Sequence, residues 1–202
     1  EKGGEIIPKV IAVNTLKRPA GAAKVQYPTV CPECGSVLIR PEGEVAYYCP
    51  NDEGCPPQIV GRIQHFISRK AMNIDGIGAE TIEAFYRQGF VKQISDLYTL
   101  HEKRESLMGL ERFGEKSITN MLEGIEKSKE MPFEKVLFGL GIRFVGETVA
   151  KKLAAHFQNI DRLLSASLEE LTAVDEIGER IAESLIAYFN QAKHREQLNL
   201  LK

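Results

Sequence analysis

A nine-residue pattern recurs four times in the second half of the chain, and it limits the fold more tightly than any other feature. The copies read Ile74-Asp-Gly-Ile-Gly78-Ala-Glu-Thr-Ile82, Leu110-Glu-Arg-Phe-Gly114-Glu-Lys-Ser-Ile118, Ile142-Arg-Phe-Val-Gly146-Glu-Thr-Val-Ala150 and Val174-Asp-Glu-Ile-Gly178-Glu-Arg-Ile-Ala182. Their last glycines are 36, 32 and 32 residues apart. Each of these glycines follows an apolar residue and precedes a stretch with apolar residues at spacings of three and four. Those stretches are Glu80–Gln88, Lys116–Lys127, Thr148–Phe157 and Arg180–Ala192. Four copies in register predict one shared helical architecture over residues 59–202.

The pattern resembles the helix-hairpin-helix motif. A glycine in the turn permits positive φ and close approach of a phosphate to the backbone. Amides opening the next helix are unpaired and carry the positive end of the helix dipole, so such a hairpin can grip a duplex backbone without reading sequence. A glycine between two helices can also be only a C-cap or a tight turn. The copies differ in what they offer a phosphate. The first keeps both glycines, Gly76 and Gly78. The second has Arg112 in place of the first glycine, then Gly114, Lys116 and Ser117. The third has Phe144 there, with Arg143, Gly146, Thr148, Lys151 and Lys152 around it. In the fourth, Asp175, Glu176 and Glu179 surround Gly178 and would repel a phosphate. That copy is expected mainly to complete the packing.

All four cysteines fall in one window, Cys31-Pro-Glu-Cys34-Gly and Cys49-Pro-Asn-Asp-Glu-Gly-Cys55, a C-x2-C-x14-C-x5-C spacing. A C-x2-C turn sets two thiolates on one side of a tight loop, Gly35 relieves crowding beneath the metal, and Gly54 helps the longer second loop close. Two such pairs joined by a short hairpin can supply a tetrahedral sulfur site for one Zn²⁺. Two disulfides are the alternative, natural to small secreted chains; nothing in the sequence marks export. Four thiolates leave no open coordination position, so the zinc is read as structural. With the metal the site sums to −2, which makes it a poor phosphate binder and suits it to holding neighbouring modules in a fixed relation.

Composition narrows the functional classes. With 26 basic and 28 acidic residues the net charge is −2, so nucleic-acid binding cannot rest on bulk basicity. Basic residues outnumber acidic ones five to two in residues 1–30, five to three in 56–95 and four to two in 132–157; in 158–202 they are five against eight. A polyanion should therefore meet selected faces. With no tryptophan and 7% aromatic residues, a base-stacking platform for single strands is not expected. The longest apolar run, Val136–Ile142, is seven residues, against the ~20 that a membrane helix needs. A dinucleotide fingerprint fails at Gly76-Ile-Gly78, which lacks the third glycine, and a P-loop fails at Gly109–Gly114, which is followed by Glu115. His65, His101, His156 and His194 lie outside any metal-ligand spacing and read as helix-surface or satisfied core histidines.

At the amino terminus, Lys2-Gly-Gly-Glu-Ile-Ile-Pro-Lys-Val-Ile-Ala-Val13 reads as a turn followed by β-rich sequence, with Pro8 at an edge or bulge. Residues 14–30, with Lys17, Arg18 and Lys24, read as a basic linker. The start at Glu1, without a methionine, suggests a piece of a longer protein.

Together, the Lys-Gly-Gly-Glu-Ile-Ile-Pro opening, the cysteine spacing, His65-Phe-Ile-Ser-Arg-Lys-Ala-Met-Asn-Ile-Asp-Gly-Ile-Gly78 and the four repeats resemble the C-terminal half of bacterial NAD-dependent DNA ligases. The resemblance implies a mainly α chain with small β parts. The end of an oligonucleotide-binding barrel and its linker would occupy 1–28, a four-cysteine zinc finger 29–58, and a four-copy helix-hairpin-helix domain 59–202. It implies NAD and Mg²⁺ as cofactors of the full-length enzyme, nicked duplex DNA as partner, Lys2 as a phosphate contact of the barrel, and roles in replication and repair in the bacterial cytoplasm, at the nucleoid. The sequence contains no K-x-D-G adenylation motif, so the chain alone is expected to grip DNA without ligating it and to work with the adenylation half of the same enzyme. A monomer is expected, because paired hairpins in one chain already supply symmetric phosphate contacts. A stand-alone DNA-binding scaffold for repair or recombination is the competing reading, and a protein-interaction bundle a third.

Overall fold

In the computed structural model of the chain, residues 9–110 and 113–202 are described. Residues 9–28 run exposed, with a single 3₁₀ turn at Thr15–Lys17, capped by the Asn14 side chain, and no strand. The β-rich reading of residues 9–13 finds no strand pairing there. The described residues contain no β-strand. Their β structure is two isolated antiparallel bridges, Val30 to Val37 and Ile39 to Tyr48, both in the cysteine-containing segment.

Ten α-helices follow among the described residues. Helix α1 (Pro56–Ile67) opens on Pro56 and Pro57, whose missing or unneeded amides suit a first turn. It leads through a hairpin into α2 (Ala79–Arg87), and a 3₁₀ segment, Ile94–Lys103, leads to α3 (Arg104–Met108). After the second hairpin come α4 (Glu115–Ser128) and then α5 (Phe133–Gly139). The third hairpin leads into α6 (Glu147–Phe157), followed by the short α7 (Ile160–Leu164) and α8 (Leu168–Thr172). The fourth leads into α9 (Glu179–Asn190), and α10 (Ala192–Leu200) closes the fold. The four repeat helices begin one residue before the expected starts, because the hairpin glycine itself is the N-cap in every copy.

The repeat register sets the core. Ile82, Ile118, Ala150 and Ala182 occupy one equivalent position, and Phe85, Met121, Leu153 and Leu185 the next on the same helical face; all eight are buried. The hairpins are buried two by two. One core cluster runs from Ile63 to Ile125 and unites the first two copies; a second runs from Leu137 to Leu198 and unites the last two. Within each pair a hairpin packs on the partner's long helix. In the first pair α4 comes so close that a Cβ at Gly124 would lie 2.2 Å from the Asp75 carbonyl oxygen. In the second pair, Ser184 of α9 donates to the Arg143 carbonyl at 2.7 Å.

The pairs are joined by α1 against α5 and by α10. Gly139 lets α5 approach Phe66, where a Cβ would stand 3.0 Å from the ring, and His65 Nε2 donates to the Phe138 carbonyl at 2.8 Å. Gln197 of α10 accepts from the Ile94 amide at 3.3 Å, and Leu201 packs on both cores.

Candidate zinc centre and nucleic-acid interface

The cysteine loops are closed by local hydrogen bonds. The Cys31 amide donates to the Ser36 carbonyl at 2.8 Å and the Gly35 amide to the Cys31 carbonyl at 2.9 Å, while Gly35 adopts φ +71°. This is the tight left-handed turn that the C-x2-C-G sequence requires. In the second loop, the Asn51 side chain accepts from the Gly54 amide at 2.9 Å, and a Cβ at Gly54 would stand 2.7 Å from that same oxygen. Glycine there lets the x5 loop shut. Cys55 is at once the last cysteine and the N-cap of α1, so this helix begins at Pro56, inside the 29–58 span expected for the finger.

The four Sγ atoms all lie within 4.8 Å of one another, with Cys31–Cys55 at 3.9 Å and Cys34–Cys49 at 3.5 Å. Zn–S bonds of about 2.3 Å in a tetrahedron put the sulfurs about 3.8 Å apart, so the cluster fits zinc. All four thiols are free and converge on one point, the arrangement of a metal site and not of two separate disulfides. Cys34 has its pKa drawn down to about 6, first by the Ser36 hydroxyl and then by the Ser36 backbone. Burial pushes Cys49 up to about 12 and raises Cys55 as well. Binding the cation favours all four thiolates together.

The finger is docked on both hairpin pairs. Asp52 pairs with Arg62 of α1 at 3.7 Å, Glu53 with Lys193 of α10 at 3.8 Å, and Glu44 with Arg143 and Arg180 at 2.7 and 3.1 Å.

Gly78, Gly114, Gly146 and Gly178 are exposed N-caps with extended backbone, and none of the four helices they open has a side-chain cap. Helices α7 and α8 differ: Asn159 accepts from the Arg162 amide at 3.0 Å and Ser167 from the Glu170 amide at 3.2 Å. The hairpin helices thus leave their first-turn amides facing outward. A Cβ added at any of the four N-cap glycines meets nothing within 4 Å.

Gly76 answers to an internal constraint as well as to its motif position. Its φ is +80°, and a Cβ there would stand 2.9 Å from the Met121 backbone, so glycine is demanded from inside the molecule. The same register position is also left-handed at Phe144 (φ +67°) and Glu176 (φ +63°), so the turn keeps its shape without glycine at some local cost. Arg112, at that position in the second copy, and Lys2 lie outside the described residues.

Lys116, Ser117 and Thr148 are exposed on the first turns of α4 and α6. Lys151 is paired to Glu147 at 3.6 Å, and Lys135 holds the same carboxylate at 3.2 Å, keeping the Glu147 pKa below its ordinary value. Arg143 is turned back onto Glu44 of the finger. Repulsion from the fourth hairpin is weaker than its sequence suggests, because Lys152 of α6 binds both Asp175 at 2.6 Å and Glu176 at 2.9 Å. Two arginines that the sequence pattern did not single out also lie at the hairpins: Arg69 lines an open groove with Asn73, Gly76 and Gly78, and Arg180 is exposed on the first turn of α9. The signal for Arg180 was available: it lies two residues after its glycine, as Lys116 and Thr148 do.

A four-thiolate finger docked on two tandem helix-hairpin-helix pairs defines a class of combined zinc-finger and hairpin modules. Comparison with known families agrees with that architecture. Residues 30–56 match the NAD-dependent DNA ligase C4 zinc finger domain, residues 68–127 a SAM-like helix-hairpin-helix tandem, and residues 135–198 the helix-hairpin-helix motif. Over its full length the chain is 57% identical to a DNA ligase of Phocaeicola vulgatus, 59% to one of Parabacteroides distasonis and 48% to one of Porphyromonas gingivalis. It spans 30% of the length of each of these relatives. The chain carries the zinc-finger and helix-hairpin-helix region of the NAD-dependent DNA ligase family. None of the helices in the described residues is long and apolar enough to cross a membrane.

Proposed function

We propose that this chain is the part of an NAD-dependent DNA ligase that grips duplex backbone without reading sequence, and that the whole enzyme seals nicks in replication and repair. The observation that carries this reading is the set of four exposed, uncapped glycine N-caps in a chain similar end to end to DNA ligases. Phosphates would meet Gly78, Gly114 with Lys116 and Ser117, and Gly146 with Thr148, where amides and the helix dipole stabilise an anion. Lys151 flanks the third of these sites; Arg112, two positions before Gly114 in sequence, and Lys2, from a barrel that residues 1–28 would complete, are proposed as further backbone contacts. Gly76 supports the first hairpin from within. The zinc is structural and fixes the finger between the two hairpin pairs. NAD and Mg²⁺ serve the adenylation half, and the partner is nicked duplex bound by one copy of the enzyme, in the cytoplasm at the nucleoid.

The test is a salt titration of the zinc-loaded chain on intact and nicked duplexes. Binding should be indifferent to sequence and fall steeply with salt, with a slope of about −0.9 for each phosphate neutralised. No binding to either duplex at low salt would overturn the reading.

A further inference from the structure

A three-residue junction of charged groups lies where the finger meets the second hairpin pair. A single oxygen of Glu44, Oε1, accepts from the Arg143 guanidinium at 2.7 Å and from that of Arg180 at 3.1 Å. The three residues come from the finger's turn, the third hairpin and the first turn of α9, the arginines 99 and 136 positions away from Glu44 in sequence. Glu44 is 19% exposed, whereas the arginines are 51% and 67% exposed. The Arg143 guanidinium also lies over Tyr48 at 5.2 Å and Phe144 at 4.9 Å, and that of Arg180 over Phe144 at 4.2 Å. The aromatic rings hold two cations close together that would otherwise separate.

One carboxylate against two guanidinium groups leaves an excess positive charge at an open surface, beside the uncapped amides of Gly146 and Gly178. A guanidinium fork recognises carboxylate and phosphate oxygens with the same geometry. We propose that Arg143 and Arg180 form a phosphate site spanning the third and fourth hairpins, which Glu44 fills in the free chain and a phosphodiester of duplex DNA takes over on binding. The proposal rests on the duplex-gripping reading above. It makes the fourth hairpin a DNA contact through Arg180, and it makes Glu44 an internal competitor that sets how tightly the second pair engages.

The experiment uses the whole zinc-loaded chain. Glu44→Gln keeps the shape and removes the competing charge, and should tighten duplex binding about two- to fivefold, the equilibrium equivalent of an exposed ion pair. Asp52→Asn makes the same change of net charge at another finger ion pair, and should tighten binding less. Arg143→Gln combined with Arg180→Gln should flatten the slope of log affinity against log salt by about 0.9, the one phosphate contact of the site, and in that background Glu44→Gln should tighten binding no more than Asp52→Asn does. If Glu44→Gln binds duplex no more tightly than wild type, or no more tightly than Asp52→Asn, with zinc content and melting temperature unchanged, the proposal falls. It falls equally if the double arginine variant keeps the wild-type salt slope. Guanidinium NMR signals of Arg143 and Arg180 that respond to inorganic phosphate but not to duplex would assign the site to a free anion and overturn the phosphodiester reading. Failure of wild type to bind any duplex would instead sink the function on which the proposal rests, so the two failures are distinguishable.

Discussion

At Gly124, in the middle of α4, an added methyl carbon would collide with the Asp75 carbonyl at 2.2 Å. Alanine is the better helix former by ~1 kcal/mol, yet Gly124→Ala should destabilise the chain by about 1–3 kcal/mol in urea unfolding, because the first hairpin must be pushed off its partner helix. Gly78 presents the opposite case. Its φ is −106° and nothing lies near its absent side chain, so Gly78→Ala should cost only about 0.5–1 kcal/mol, the preference of an N-cap for glycine over alanine. That variant should still weaken duplex binding in a fluorescence titration, since the methyl group stands where a phosphate would approach; undiminished binding would remove the first hairpin from the interface. Replacing Gly76 cannot make this test, because its φ of +80° and its contact with Met121 disturb the fold first.

The finger is the element least able to stand by itself. Of its described residues between 29 and 55, only Cys31 and Cys55 are buried, and two isolated bridges are its only β structure. Its order depends on the metal. Zinc removal by chelation, or Cys31→Ser, should collapse the amide NMR signals of residues 29–60 while those of both hairpin cores persist. The helical part loses its ion pairs to the finger, the Arg143–Tyr48 contact and the hydrogen bonds of Gln58 and Arg62 to finger carbonyls, while both cores stay intact, so its melting temperature should fall by a few degrees, at about 2–4 °C per kcal/mol for a chain of this size. Persistence of the finger's signals without metal would show that hydrogen bonding and docking alone hold it. The first turn of α1 should fray with the finger, since Cys55 belongs to both.

For the molecule as a whole, one acid-sensitive joint is where α10 meets the Ile94–Lys103 segment, α1 and the finger. His194 is buried there, stacked 3.8 Å from the Tyr188 ring, and Nδ1 donates to the Tyr188 carbonyl at 3.1 Å. Its Nε2 has no partner among the described residues, so this core histidine is only half satisfied. Burial, aided by Arg62, holds its pKa below the ordinary value. The unfolded chain therefore takes up the proton first, and stability is full above about pH 6.5 and declines as the pH falls through that value. The melting temperature should drop between pH 7.5 and 5.5 and drop less in His194→Gln; equal slopes would place the titrating group elsewhere. The spacing of glycines and apolar residues determined the four hairpins, their core positions and the zinc ligands, because helical periodicity and a metal turn are local and repeat in the chain itself. Tertiary structure decided how the hairpins pair, that Gly76 and Gly124 serve internal contacts while Gly78 faces outward, and that Arg143 and Arg180 converge on Glu44. Contacts between residues 99 and 136 positions apart leave no period in the sequence, and the fold alone makes them neighbours.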